Sequence, residues 1–315
     1  MYDIVGGPST FMRNLKTYLD DVGYNYKSDI SKSKHIFFPI SYDLAFLKKI
    51  KKDKGAIIQR LDGIYYPQKH GASYQEKNKL IKDIYLNYAT KVVFQSQYSK
   101  AQCFKLFGEK DTDDYEIIIN GVNEAIFYPS NAFKEVPKTF KLLTTGNFRN
   151  LDMLEPVIIA LDAISKFDFE LNIIGPIVND KLHDLINRDY INHLGNKDSH
   201  QIADLLREHH IFMYSHLNPP CPNSVLEAIV SGLPVVGFNS GSMSELLHFS
   251  QNLLAEVSDD VFQKYEDFSA DALKEKIIYC MTHFEKMKGI SLVNASNYSF
   301  KHCGKQYQKI FQNIG

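Results

Sequence analysis

The chain has 315 residues, of which 44% are hydrophobic, so it is long enough for about two ordinary domains with separate cores. Its 36 basic and 37 acidic residues leave a formal net charge of −1, which argues against nucleic-acid binding through an overall positive field. The widely spaced Cys103, Cys221, Cys280 and Cys303 argue against a structural metal, and no apolar run reaches the ~20 residues that span a bilayer.

Short apolar runs alternate with helical patterns along the whole chain, which is typical of parallel sheets built from β–α–β units. In the first half, strands are predicted at 35–40, 56–61, 92–95 and 116–119, between helices at 10–21, 42–52, 75–89 and 100–107. In the second half, strands at 141–144, 170–174, 191–194, 211–214 and 234–238 alternate with helices at 154–165, 180–187, 200–207, 225–230 and 243–247. The last helices are predicted at 272–287 and 298–311. Two doubly wound α/β domains result.

The junction between the two domains is predicted near 128–138, where Pro129 and Pro137 interrupt the periodicity. The predicted domains are therefore 1–133 and 138–299. Only Tyr2 to Val5 precede a Gly6-Gly7 turn, so the first strand is short or the chain begins late. Met1-Tyr2-Asp3 does not begin a signal peptide, and we expect a cytoplasmic protein.

Residues 218–246 are the most informative stretch because they set polar groups around a buried helix and strand. The turn Ser240-Gly241-Ser242 leads into a helix whose first amides and positive dipole end suit a diphosphate. Glu227, near the start of the preceding helix, can accept both hydroxyls of a ribose. These groups together suit a sugar nucleotide.

Helix capping is the alternative for both acids. The pairs Ser224 with Glu227 and Ser242 with Glu245 fit the Ser-x-x-Glu capping box, which only satisfies helix-end amides. The spacing alone leaves both interpretations open.

The run from Pro222 through Glu245 resembles the nucleotide-sugar signature of family 4 glycosyltransferases, which are retaining enzymes of the GT-B fold. The resemblance extends over nearly the whole chain, through segments at 6–11, 59–63, 92–99, 118–123 and 146–149. It implies two facing doubly wound, Rossmann-like domains. The acceptor-side domain would be 1–133, the nucleotide-sugar domain 138–299, and a C-terminal helix at about 300–315 would cross back to the first.

Two positions depart from the family pattern. The first acid of its signature falls on Pro219, and 150–154 contain no lysine after Arg149. The resemblance therefore implies a nucleotide site more directly than efficient sugar transfer. A sugar-nucleotide-binding protein or inactive partner subunit stays open as an alternative, as does an epimerase or phosphorylase on the same fold.

The expected reaction moves a hexose from a nucleotide diphosphate sugar to a glycan or glycolipid acceptor, with retention and without a metal. The proposed donor-binding residues are Gly6, Gly7, Arg149, Asn223, Ser224, Glu227, Gly241, Ser242 and Glu245. Arg149 is also a catalytic candidate, since a guanidinium can hold two oxygens of the leaving diphosphate.

The acceptor side is assigned to Arg60, Asp62 and Tyr65. Asp62 can orient or deprotonate an acceptor hydroxyl, and Tyr65 can stack on a sugar ring. Alternatively, Arg60 and Asp62 only pair across their loop. Five lysines between 48 and 54 are either the solvated end of a helix or a peripheral contact with anionic lipid.

Overall fold

The computed structural model describes residues 7–26, 33–130 and 135–314. The chain divides into two compact units. Unit 1 comprises Met1–Gly121 with Phe300–Gly315, and unit 2 comprises Val122–Ser299. The boundary between Gly121 and Val122 lies before the proline-containing stretch at 128–138, where the sequence predicts the junction.

Unit 1 contains, within its described part, a sheet of four parallel strands in the order β1-β2-β3-β4. Its elements in chain order are α1 (Gly7–Asp21), β1 (Ile36–Pro39), α2 (Leu44–Lys52), β2 (Ile57–Leu61), α3 (Pro67–His70), α4 (Tyr74–Asn87), β3 (Lys91–Phe94), α5 (Gln97–Phe107) and β4 (Tyr115–Ile117). Every residue of β2 is buried, because this inner strand of a parallel sheet is covered on both faces.

Unit 2 contains a sheet of six parallel strands in the order β10-β9-β8-β5-β6-β7. Its elements are β5 (Thr139–Thr145), α6 (Glu155–Asp162), β6 (Asp168–Ile174), α7 (Asp180–Leu185), β7 (Ile191–Gly195), α8 (Ser199–Glu208), β8 (Ile211–Tyr214), α9 (Asn223–Val230), β9 (Val235–Phe238), α10 (Met243–Leu246), β10 (Leu254–Ala255), α11 (Ala270–Thr282) and α12 (Phe284–Asn294). The sequence prediction omits β10, because two residues carry no readable period.

The helix predicted at 272–287 is wrong as a single element. The chain leaves the helical conformation at His283, with φ −114° and ψ 31°, and forms α11 and α12 on either side. Apolar residues continue through the break, since Met281, Phe284 and Met287 all pack in the core of unit 2. The hydrophobic period therefore gives no sign of the interruption.

The last helix, α13 (Phe300–Gln312), belongs to unit 1. Its buried Phe300, Tyr307 and Ile310 pack with Phe11 and Leu15 of α1 in one apolar cluster. The predicted fold, two parallel-sheet α/β domains with a final helix that returns to the first, is confirmed. Within the described ranges, no helix combines the length and the apolar character needed to cross a bilayer.

Candidate functional site

The strand order of unit 2 reverses between β5 and β8. The chain builds β6 and β7 on one side of β5 and then returns to place β8 and β9 on the other. Ligands of open α/β sheets bind at such a reversal, outside the carboxyl ends of the strands, because the loops that follow the two strands diverge there. This edge of unit 2 is therefore the candidate donor site.

Three neighbouring strands end at the same level of this edge. The register pairs Leu142 of β5 with Ile211 of β8, and Tyr214 of β8 with Gly237 of β9. The loops that follow carry Arg149 after β5, Pro219 after β8, and Gly241 with Ser242 after β9. The sheet thus brings the segments predicted to bind the donor to one edge.

Arg149 lies exposed in the loop after β5. Its Nε donates to Asn147 Oδ1 at 3.2 Å, and its backbone carbonyl accepts from Asn179 Nδ2 at 3.3 Å. These contacts fix the loop and the base of the side chain, while the two terminal nitrogens have no partner among the described residues. A guanidinium held in this way can present its fork to a diphosphate.

Glu227 is not part of a capping box. Helix α9 begins at Asn223 with Pro222 at its N-cap and no side-chain cap, so Ser224 lies inside the first turn rather than before it. No hydrogen bond or ion pair from a described residue reaches the Glu227 carboxyl. Burial without a cationic partner raises the pKa of Glu227 to about 8.

Ser242 and Glu245 do not form a capping box either. Ser242 stands at the N-cap of α10 without a side-chain cap, and its buried Oγ has no hydrogen-bond partner within the described chain. The Ser242 N–H donates to the Pro219 carbonyl at 2.9 Å, and the Met243 N–H to Ser240 at 3.2 Å. Two amides that the sequence offers to a diphosphate are thus engaged, and α10 spans only four residues.

The turn after β9 is packed against Pro219. Gly241 has φ +62°, and a Cβ there would lie 2.4 Å from Pro219 Cδ and 2.5 Å from its carbonyl oxygen. Only glycine fits, because the backbone conformation and the close approach both exclude a side chain. Pro219, in the position of the family acid, therefore has a structural role in joining the loops after β8 and β9.

Asn218, next to Pro219, is held by backbone groups. Its Nδ2 donates to the Gln263 carbonyl at 2.8 Å, and its Oδ1 accepts from the Gln263 N–H at 3.0 Å. Asn218 also adopts φ +53°, a left-handed conformation that asparagine tolerates better than most residues. Because both ends of its carboxamide are engaged, Asn218 is not available to replace the missing acid.

The residues predicted for the acceptor side lie at or shortly after the end of β2 in unit 1. Arg60 and Asp62 pair with each other, and Arg60 is only 1% exposed, so its guanidinium has no surface to offer a ligand. Tyr65 is 37% exposed, with its ring edge-on to His70 at 4.9 Å and Lys77 above it at 5.4 Å. The ring of Tyr65 is therefore open to contact with a ligand, whereas the neighbouring Tyr66 is buried.

The remaining residues predicted to bind the donor are Gly6, Gly7, Asn223 and Ser224. Gly6 lies outside the described residues, and Gly7 begins α1, with Pro8 in its first turn. Asn223 and Ser224 form the first turn of α9 and are partly exposed. Within the described ranges, no three His, Cys, Asp or Glu side chains cluster as a metal site would require.

His216, in the loop after β8, is a residue that the sequence analysis does not single out. Its ring lies 4.6 Å from that of Tyr214 and 6.0 Å from that of Phe148, between the two loops that diverge at the strand reversal. A Cβ on Gly146 would approach His216 Cε1 to 2.9 Å, so this glycine lets the loops come together. Its place two residues after a predicted strand is the only signal in the sequence.

The fold and this edge define an α/β protein with a candidate nucleotide site in its second unit. Residues 139–282 match the family model described as Glycosyl transferases group 1. This match covers most of unit 2, and the whole chain has the GT-B fold.

Solved structures agree with this assignment of the fold. HepE of Anabaena in complex with UDP and glucose shares 13% identity over 99% of this chain and 98% of that chain, with a TM-score of 0.74. WaaG, a glycosyltransferase involved in lipopolysaccharide biosynthesis, shares 14% over 98% and 97%, with a TM-score of 0.70. A glycosyltransferase from Rickettsia africae shares 18% over 100% and 84%, with a TM-score of 0.66. No curated protein is close enough in sequence to match the chain.

Proposed function

We propose that this protein transfers a hexose from a nucleoside diphosphate sugar to a hydroxyl of a glycan or glycolipid acceptor, with retention of configuration and without a metal. The observation that carries the proposal is the Glu227 carboxyl, which is neither a helix cap nor part of an ion pair and stands on the helix that follows β8. Two ribose hydroxyls can donate to this carboxyl. The match of unit 2 to Glycosyl transferases group 1 supports the same ligand class.

Arg149 is proposed to hold the diphosphate. It is exposed on the loop after β5, next to β8 in the sheet, and its terminal nitrogens are not engaged by described residues. As the bond to the sugar breaks, negative charge grows on the leaving diphosphate, and a positioned guanidinium stabilises that charge. This side chain supplies a cation without a metal ion, and we expect activity to persist in EDTA.

Uracil is the base to test first, because HepE, a structural neighbour of this chain, is described in complex with UDP and UDP-glucose. The test is a thermal-shift panel of UDP, GDP, ADP and dTDP with their glucose conjugates. A rise in melting temperature with one nucleoside diphosphate and its sugar supports the proposal. If none of them raises the melting temperature, the proposed donor site is wrong.

A nucleotide-sugar-binding protein without transferase activity is the second candidate. Pro219 favours it, because this residue offers no side-chain hydrogen bond where the family has an acid, and its neighbour Asn218 is engaged by Gln263. Release of UDP from UDP-glucose, measured with and without saccharide acceptors, separates the two. Acceptor-dependent release identifies a transferase, and tight binding without release identifies a binding protein.

A further inference from the structure

Four polar side chains close a ring at the carboxyl edge of the unit 1 sheet. Arg60 Nη1 donates to Asp62 Oδ1, and Gln95 Nε2 donates to the same oxygen at 2.7 Å. Asn120 Nδ2 donates to Gln95 Oε1 at 3.2 Å, and Arg60 Nη2 donates to Asn120 Oδ1 at 2.7 Å. The four residues come from the ends of β2, β3 and β4, which are neighbours in the sheet.

The ring has a fixed direction. A guanidinium only donates hydrogen bonds and a carboxylate only accepts them. Asn120 must therefore turn its oxygen to Arg60 and its nitrogen to Gln95, and Gln95 must turn its nitrogen to Asp62. Neither carboxamide can flip without losing two hydrogen bonds, so the ring holds Asp62 in one orientation.

The backbones at Gln95 and Asn120 are fixed as well. Gln95 precedes α5, where Ser96 and Ser99 form a reciprocal cap and Ser99 Oγ accepts from the Gln95 N–H at 3.1 Å. Asn120 precedes Gly121, where a Cβ would lie 2.5 Å from the Phe300 backbone of α13. These supports keep the ring rigid.

The Arg60 side chain is fully engaged by contacts within the protein. Its Nε donates to Tyr307 of α13 at 3.1 Å, and its guanidinium lies over the Phe11 ring at 3.6 Å. All three nitrogens are thus engaged and one face is covered. Arg60 acts within the protein, where it balances the charge of Asp62.

The two carboxylate oxygens of Asp62 differ in their hydrogen bonds. Oδ1 receives both donors, whereas Oδ2 is buried and has no hydrogen-bond partner among the described residues. The side chain is only 5% exposed, so bulk solvent contributes little hydrogen bonding to this oxygen. A buried carboxylate oxygen without a donor is costly unless a ligand supplies one.

We propose that Asp62 Oδ2 accepts a hydrogen bond from a hydroxyl of the acceptor saccharide, and that Gln95 and Asn120 are positioning residues that aim this oxygen through the ring. A neutral hydroxyl fits better than an ammonium group, because Arg60 already balances the carboxylate. The inference rests on the proposed function, which supplies a saccharide acceptor. It gives a common role to three sequence segments, 59–63, 92–99 and 118–123.

The test measures saccharide binding and nucleotide binding separately. Methyl glycosides of glucose, galactose, mannose and N-acetylglucosamine are titrated by ligand-observed NMR in the presence of UDP, and UDP is titrated by calorimetry. Asp62→Glu keeps the charge that Arg60 needs but displaces the free oxygen. Gln95→Met keeps the length of the side chain but removes its donor and its acceptor.

Gln59→Met is the matched control. Like Gln95, Gln59 is a buried glutamine, but it lies on β2 and takes no part in the ring. Its Nε2 donates to the carbonyls of Ile40 and Ile81 at 2.8 and 3.2 Å. Gln59→Met should lower the melting temperature through these two lost bonds. It should leave both saccharide and UDP affinity within about twofold of the wild type.

We expect at least one methyl glycoside to bind the wild type. Its affinity should fall by about tenfold or more in Asp62→Glu, since a hydrogen bond to a charged group is lost, and by about threefold to tenfold in Gln95→Met. UDP affinity should stay within about twofold in both. If Asp62→Glu does not fold, the saccharide affinity of Gln95→Met alone tests the proposal.

The proposal is overturned if no methyl glycoside binds the wild type, if Gln95→Met binds saccharide as the wild type does, or if Gln59→Met weakens saccharide binding as much as Gln95→Met. If the wild-type protein does not bind UDP, it is the proposed function that is wrong. The two failures are distinct because the ring lies in unit 1 and the nucleotide residues lie in unit 2.

Discussion

Glu227 makes the stability of the protein depend on pH. Its pKa in the folded chain is about 8, above the ordinary value of 4.5, because burial disfavours the charged form. Between these two values the folded chain holds a proton that the unfolded chain has released. The free energy of unfolding therefore falls as the pH rises through this window, by at most about 1.4 kcal/mol per pH unit.

Replacing Glu227 with glutamine should flatten this dependence. The carboxamide has nearly the same shape but no charge to bury, so Glu227→Gln should gain stability relative to the wild type as the pH rises from 5 to 8. Denaturant unfolding of both proteins at several pH values measures the difference. Parallel curves for the two proteins would show that Glu227 keeps an ordinary pKa.

The same substitution should weaken nucleotide binding. If Glu227 accepts the ribose hydroxyls, Glu227→Gln loses a charge-assisted contact, which should cost roughly 1.5–3 kcal/mol of UDP affinity. The loss should be larger at pH 8.5 than at pH 6, because the carboxyl of the wild type is charged only at the higher pH. Unchanged affinity at both pH values in calorimetry would remove Glu227 from the site.

Arg149→Ala should weaken UDP far more than uridine, because only UDP carries the diphosphate that the guanidinium is proposed to hold. We expect a loss of roughly 1.5–3 kcal/mol for UDP in calorimetry. Arg188→Ala is the control, since this half-exposed arginine of unit 2 is paired with Asp162 at 3.2 Å. Equal losses for UDP and uridine would place Arg149 away from the diphosphate.

At the scale of elements, the sequence predicts what repeats along the chain and misses what depends on contacts between distant segments. The alternating strands and helices follow from hydrophobic period, and each strand predicted between 35 and 238 has a counterpart in the sheets. The short first strand predicted before Gly6 lies outside the described residues. The capping alternative for Glu227 could not be decided, because it depends on α9 beginning at Asn223 rather than Val225. The ring around Asp62 was also out of reach, since Gln95 and Asn120 come from other strands.

Gly241→Ala should destabilise unit 2. A side chain there would have to adopt φ +62° and would collide with Pro219, so we expect a loss of roughly 1–3 kcal/mol in the free energy of unfolding, together with weaker UDP binding. Gly289→Ala is the control, because a Cβ at this exposed helical glycine meets nothing within 4 Å. It should instead be neutral or stabilise by up to about 1 kcal/mol.

Pro219 should leave the donor site with little preference for the sugar. Because Pro219 carries no side-chain hydrogen bond and packs on Gly241, we expect UDP to bind nearly as well as UDP-glucose. Competition calorimetry measures both constants. A preference of more than about 100-fold for the sugar nucleotide, roughly 2.7 kcal/mol, would show that the hexose pocket is complete without the family acid.

At the scale of the molecule, α13 packs the last residues of the chain into unit 1, which also contains the first residues. Tyr307 of α13 is fully buried and accepts from Arg60, and Gly304 lies so close to Tyr18 of α1 that a Cβ would be 2.5 Å from its ring. The helix is amphipathic in sequence, so its existence could be predicted. Its contact with the ring at Arg60 could not, because nothing in the sequence links Tyr307 to β2.

Deleting residues 300–315 should therefore unfold unit 1 and spare unit 2. The deletion removes Phe300, Tyr307 and Ile310 from the unit 1 core and leaves Arg60 without its tyrosine partner. Limited proteolysis should cut unit 1 rapidly, while UDP still binds. Deleting only residues 313–315 should change neither property, and equal protease resistance after both deletions would contradict the role given to α13.

The two ends of unit 2 lie side by side. Val122 and Ser299 form a parallel bridge, and the Val122 N–H donates to the Tyr298 carbonyl at 2.8 Å. Unit 2 is thus one continuous insertion whose entry and exit points coincide, an arrangement that tolerates excision and grafting. A gene fragment encoding 122–299 should fold on its own and bind UDP if the proposed donor site is correct, and the same pair of positions offers a place to exchange unit 2 between relatives without redesigning unit 1.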